Sequence, residues 1–147
     1  MLVRFFASLM LVILTSSVAL AQAARGIPRL IQADIPNYPV IARAARVTGT
    51  VKIRVTVESG RVTKLEVLHA RGASGPQVLD HGSPMLTDPT LANLRSWRFD
   101  SMVNTSIDVL YTYVLAGDPT YPTDNPKIEI SPSLDVTITA TPPQIME

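Results

Sequence analysis

The chain has no cysteine, a single tryptophan among 147 residues, and almost no surplus of charge, with 13 basic against 12 acidic side chains. Each shortage removes a class of explanation. Without cysteine, neither disulfides nor thiol chemistry takes part, although an oxidising compartment stays compatible. A net charge near zero leaves no electrostatic footprint for a phosphate backbone, so nucleic acid is not expected as a partner. The sequence also lacks a Gly-x-Ser-x-Gly turn and any spaced His or Cys pair of the zinc-binding kind. An acyl-transfer set or a three-ligand metal site would have to come from His69, Ser74, Asp80, His81 and Ser83. Most of these lie in a Gly/Ser/Pro-rich stretch with the composition of a solvated connection. No catalytic residue, metal, cofactor or small-molecule substrate is therefore expected, and the protein does not read as an enzyme.

What is present begins with an apolar segment. Arg4 precedes a run from Phe5 to Leu14, and small residues follow, ending in Ala21, Gln22 and Ala23. This is the three-part pattern of a secretory signal peptide over residues 1–23, cut after Ala23, and it implies a periplasmic protein. The alternative is an inner-membrane anchor, since extending the run through Leu20 reaches the shortest length that spans a bilayer. Residues 24–34 form a short segment with little pattern.

From residue 35 the periodicity becomes informative. Pro39 suits the first turn of a short helix running to about Arg46, with Gly49 expected to stop it. "TVKIRVTV" alternates, with Val51, Ile53, Val55 and Val57 on one face and Lys52, Arg54 and Thr56 on the other, which predicts a half-buried strand. Gly60 is placed for a positive φ in a hairpin turn, and "VTKLEVLH" continues as a second strand with Leu65 and Val67 on one face. Arg71 to Pro84 reads as a loop. In "LTDPTLANLRSWRF" Thr87 or Asp88 can cap a second helix with Pro89 in its first turn, and Trp97 at its C-terminal end. A third strand is predicted over Ser106–Leu115, with Ile107, Val109, Tyr111, Tyr113 and Leu115 on one face. After a Pro-containing connection, Leu134, Val136 and Ile138 alternate with polar residues as a fourth strand.

Two surface readings compete with blander ones. Lys52, Arg54 and Lys64 would form a basic patch on the hairpin, but Glu58 and Glu66 are close, and an ordinary solvated sheet face explains them better. Tyr111 and Tyr113 would make a ligand platform, but period-two aromatics beside Val109 are better placed under a helix.

The order and the landmark residues match a known pattern. "YPVIARAARVTGTVKIRVTVESGRVTKLEVL", with Tyr38-Pro39, Ala42, Gly49 and Gly60, resembles the opening of the TonB C-terminal domain, and "LANLRSWRF" resembles that family's helix ending in an aromatic, a basic residue and Phe. The likeness covers about Ile35 to Leu115, within a domain set at residues 35–116, followed by an extension over 117–147. It implies an α+β fold, a small antiparallel sheet of three strands plus the C-terminal fourth, with helices on one face. Tyr38, Pro39, Gly49, Gly60, Trp97 and Phe99 would be its structural anchors. It also implies a module that binds an envelope protein, such as an outer-membrane transporter, by adding a peptide strand to a sheet edge. The candidate docking strand is the one carrying Ile107, Val109, Tyr111, Tyr113 and Leu115. Family transducers also have a retained membrane helix and a long proline-rich spacer. Here the segment between Ala23 and Asp34 spans about 40 Å at most, at roughly 3.3–3.6 Å per residue. A periplasmic accessory module is thus the first expectation, with an anchored transducer or a self-associating envelope component as alternatives. If the C-terminal strand pairs with the third strand, the docking edge is occupied.

Overall fold

A computed structural model describes residues 26–74, 77–79, 83–118 and 125–144. Residues 1–23, the segment with the expected signal-peptide pattern, and Asp80 and His81 lie outside these residues. The chain enters the fold with β1 (Leu30–Gln32), then α1 (Val40–Ala44), β2 (Val47–Glu58) and β3 (Arg61–Ser74). β4 (Gln77–Leu79), α2 (Pro84–Arg95), β5 (Arg98–Phe99) and β6 (Thr105–Leu115) follow, and β7 (Lys127–Ile130) and β8 (Val136–Ala140) complete it.

The strands form one eight-stranded sheet in the order β1-β5-β3-β2-β6-β8-β7, with β4 pairing separately with β3. The expected α+β sheet of three or four strands is thus too small, and it is not purely antiparallel, because β8 runs parallel to β6. The difference comes from short strands. β1, β4 and β5 hold two or three residues each, too few to carry a period, and β1 lies in the segment that showed no pattern.

The long strands follow their sequence pattern. Val51, Ile53, Val55 and Val57 of β2 are all buried, as are Val109, Tyr111 and Tyr113 of β6 and Val136 and Ile138 of β8. Their registers place all of them on one face, with Val51 opposite Tyr111 and Tyr111 opposite Val136. Both helices add to this core, α1 through Ala42 and α2 through Leu86 and Leu94. In β3, Leu65 sits opposite Val55 and Val67 opposite Ile53, but Val67 is 42% exposed.

Turn chemistry explains the boundaries. Ser59 and Gly60 both have positive φ, 50° and 74°, as the mirror-image two-residue turns of hairpins require. A Cβ on Gly60 would lie 2.5 Å from the Phe99 carbonyl oxygen, so glycine is needed there twice over. Gly49 does not stop α1. The helix ends at Ala45 and Arg46, whose φ is 54°, whereas Gly49 lies inside β2, where a Cβ would meet the Arg71 carbonyl oxygen at 2.1 Å.

The other corrections concern β3 and α2. The stretch read as a loop from Arg71 begins as strand, since β3 continues to Ser74 and turns back into β4. α2 starts earlier than predicted, with Pro84 at its first turn and Ser83 Oγ accepting from Met85 N at 3.3 Å, so Pro89 is interior and neither Thr87 nor Asp88 is the cap. The earlier start brings Leu86 fully into the core. Trp97 lies just past the C-cap, Ser96, and Phe99 belongs to β5.

Candidate functional site

The five apolar residues that marked the candidate docking strand divide into two groups. Val109, Tyr111 and Tyr113 are buried and Ile107 and Leu115 are partly buried against the core, so none offers a freely exposed side chain to a partner. Tyr111 donates its hydroxyl to Asn93 Oδ1 at 2.6 Å, and Trp97 Nε1 donates to the same oxygen at 3.2 Å. Asn93 Nδ2 donates to the Asp34 carbonyl at 2.9 Å, tying the N-terminal segment to the helix. Tyr113 shares a 2.8 Å hydrogen bond with Thr90, and Tyr38 donates to the Val47 carbonyl at 2.5 Å. Burial pushes the ionisation of Tyr38, Tyr111 and Tyr113 up, so all three stay neutral phenols at physiological pH. Their chemistry is packing and hydrogen bonding.

The outer edge of β6 is divided as well. Tyr111–Leu115 pairs with β8, whereas among the described residues no strand pairs with Thr105–Val109 on that side. Leu110 N–H turns outward, where Asp135 Oδ1 accepts it at 3.0 Å. Backbone polar groups alternate sides along a strand, so those of Ser106 and Asp108 also point outward. The vacant half therefore ends at a carboxylate cap and begins beside an open groove lined by Ile27, Val57, Glu58, Asn104 and Ile107. On the opposite sheet face Arg54 binds Asp108 in a two-pronged contact, at 2.9 and 3.3 Å. That hydrogen bond holds the Asp108 carboxyl below the usual range and raises the arginine.

The resemblance points to the strand carrying Ile107, Val109, Tyr111, Tyr113 and Leu115, whose side chains turn to the core. The outward main-chain groups belong to Ser106 and Asp108, and no side-chain pattern announces them. Asp135 was unmarked, because the contact joining it to Leu110 crosses a parallel pairing that no local pattern announces.

The other candidate residues have structural places or lie outside the described residues. Ser74 Oγ donates to the Ala45 carbonyl at 2.9 Å, Ser83 caps α2, and His69 stands exposed opposite Lys52. Among the described residues no three His, Asp or Glu side chains gather as metal ligands. On the hairpin face Arg54 is held by Asp108, and Lys64 lies 4.0 Å from Glu66. Tyr38 packs edge-on against Tyr113 at 5.4 Å, and Pro39 occupies the N-cap of α1. Trp97 and Phe99, 6.1 Å apart, close the other end of the core.

The family model described as Gram-negative bacterial TonB protein C-terminal matches residues 34–115, more than half of the chain. No curated protein matches the chain. The matched region runs from just after β1 to the end of β6, so β7 and β8 fall outside it.

Proposed function

From its membership of the TonB C-terminal family, we propose that the chain is a periplasmic protein-interaction module that captures a peptide strand of an envelope partner, an outer-membrane transporter being the fitting class. The observation that carries this reading is the half-vacant edge of β6, where Ser106 and Asp108 present main-chain donors and acceptors. A peptide added there would run in line with β8, its alternate side chains falling on the core side beside Ile107 and Ile27. Backbone bonding would supply affinity, and the groove would favour a peptide with apolar residues at every second position. The family acts by binding rather than by catalysis, which fits a site made of main-chain groups and a shallow groove.

The reach of the chain supports a local role. β1 is already part of the sheet, leaving residues 24–29 between the apolar segment and the fold. Six residues stretch to about 20 Å, so an uncleaved form would hold the sheet close to the inner membrane. The described residues contain no helix long and apolar enough to cross a membrane. N-terminal sequencing of the native protein separates the two forms: a start at Ala24 supports the periplasmic module, and a start at Met1 supports the anchored transducer.

The docking test is Ser106→Pro. Proline is tolerated in an edge strand where the missing N–H faced outward, so the variant should keep its fold and lose capture of the partner from an envelope extract. With the captured partner added to the unmodified protein, the amides of Ser106 and Asp108 should become protected from exchange. Unchanged capture by a folded Ser106→Pro variant would place the docking surface elsewhere.

A further inference from the structure

The sheet ends at β7, and among the described residues nothing pairs with its outer side. Ser131 N donates to the Asp135 carbonyl at 2.9 Å as the inner rung of the β7–β8 hairpin. Alternation then turns the backbone groups of Glu129 and Lys127 toward β8 and those of Ile128 and Ile130 outward. Pro126 precedes the strand and lacks a donor, but its carbonyl belongs to the outward set.

We infer that a second copy of this chain docks here, its β7 antiparallel to the first with Ile128 opposite Ile128 of the partner subunit. The two Ile128 residues exchange a pair of main-chain bonds, and each Ile130 N–H reaches the carbonyl of the opposing Pro126. Lys127 then faces Glu129 of the partner subunit, and the two-fold axis repeats the pair in reverse. Within one chain Lys127 and Glu129 already lie 2.9 Å apart on one face, both largely exposed, so both charges are available across the junction. The neighbouring registers are selected against. Sliding by one step of the axis sets Lys127 against its own copy, and sliding the other way does the same to Glu129, where like charges repel.

The surrounding chain shapes the outcome. Ile128 packs against the core and Ile130 is 47% exposed on the same face, so the register joins the two apolar faces into one. Pro126 and Pro132 bound the strand and keep the junction short. The contact is isologous and closes on itself, giving a dimer rather than a fibre.

The test is the mass in solution of the protein from Ala24 onward, which contains every described element, followed over concentration by sedimentation equilibrium. The unmodified chain should approach twice its monomer mass as concentration rises. Lys127→Glu and Glu129→Lys alone should each raise the dimer dissociation constant by about tenfold, and the double reversal should restore it. A monomer throughout the soluble range overturns the inference, as does a dimer indifferent to either reversal or not restored by the double change. Circular dichroism confirms that each variant is folded, and because no other protein is present, the result is independent of capture at β6.

Discussion

Trp97 and Asn93 show what single residues contribute. The indole is 1% exposed, packs against Phe99 and Tyr111, and donates to an asparagine that also receives the Tyr111 hydroxyl. Trp97→Ala should cost about 3–5 kcal/mol, because it removes buried surface and opens a cavity. A melting temperature equal to the parent's would refute the packing. The tryptophan was legible in the sequence as an anchor because a large aromatic followed a helical pattern. Asn93 was not, because a polar residue in a helix looks solvated until the fold delivers three partners to it. Among the described residues no buried side-chain polar atom lacks a hydrogen bond, so its role is satisfied within the core.

At the scale of elements the strands with a sustained period were readable and the rest were not. β2 and β6 declare themselves through alternating Val, Ile and Tyr, whereas β1, β4 and β5 exist only because a neighbour offers a ladder. The start of α2 was misjudged because two Ser/Thr/Asp-before-Pro signals stand five residues apart, and burial of Leu86 decides for the earlier one. The alternation of side chains along β6 marks which of them are buried, but it says nothing about which main-chain groups point outward. The C-terminal strand illustrates the stakes. Val136 and Ile138 are fully buried, and Arg43 Nε donates to the Thr141 carbonyl at 2.7 Å, so β8 is a wall of the core and not a removable cover. Ending the chain after Ala116 should abolish the cooperative thermal transition, and a truncated protein that melts sharply would show the tail to be dispensable. Among the described residues the half of β6 beyond β8 stays unpaired on its outer side.

The molecule as a whole responds to alkali through its tyrosines. Tyr38, Tyr111 and Tyr113 have their ionisation raised by burial, with the Tyr113 charge adding to the effect on the other two. A phenol whose folded pKa exceeds its unfolded value stabilises the fold fully below the unfolded value, about 10, and this contribution fades as pH rises above it. Tyrosinate absorbance should therefore appear together with loss of tryptophan fluorescence in one transition above about pH 10. Ionisation of all three at ordinary values in a protein that stays folded would contradict their burial. The family match covers residues 34–115, and the sheet extends past it on both sides, through β1 before it and β7 and β8 after it.

The parallel pairing of β6 and β8 also has a consequence for folding. β8 completes the core, and the chain between residues 115 and 136 separates it from its partner β6, so the contact closes over a long loop. Until Val136 and Ile138 dock, the apolar face of the sheet is unfinished. Closure of that loop is therefore the step on which completion of the native sheet waits.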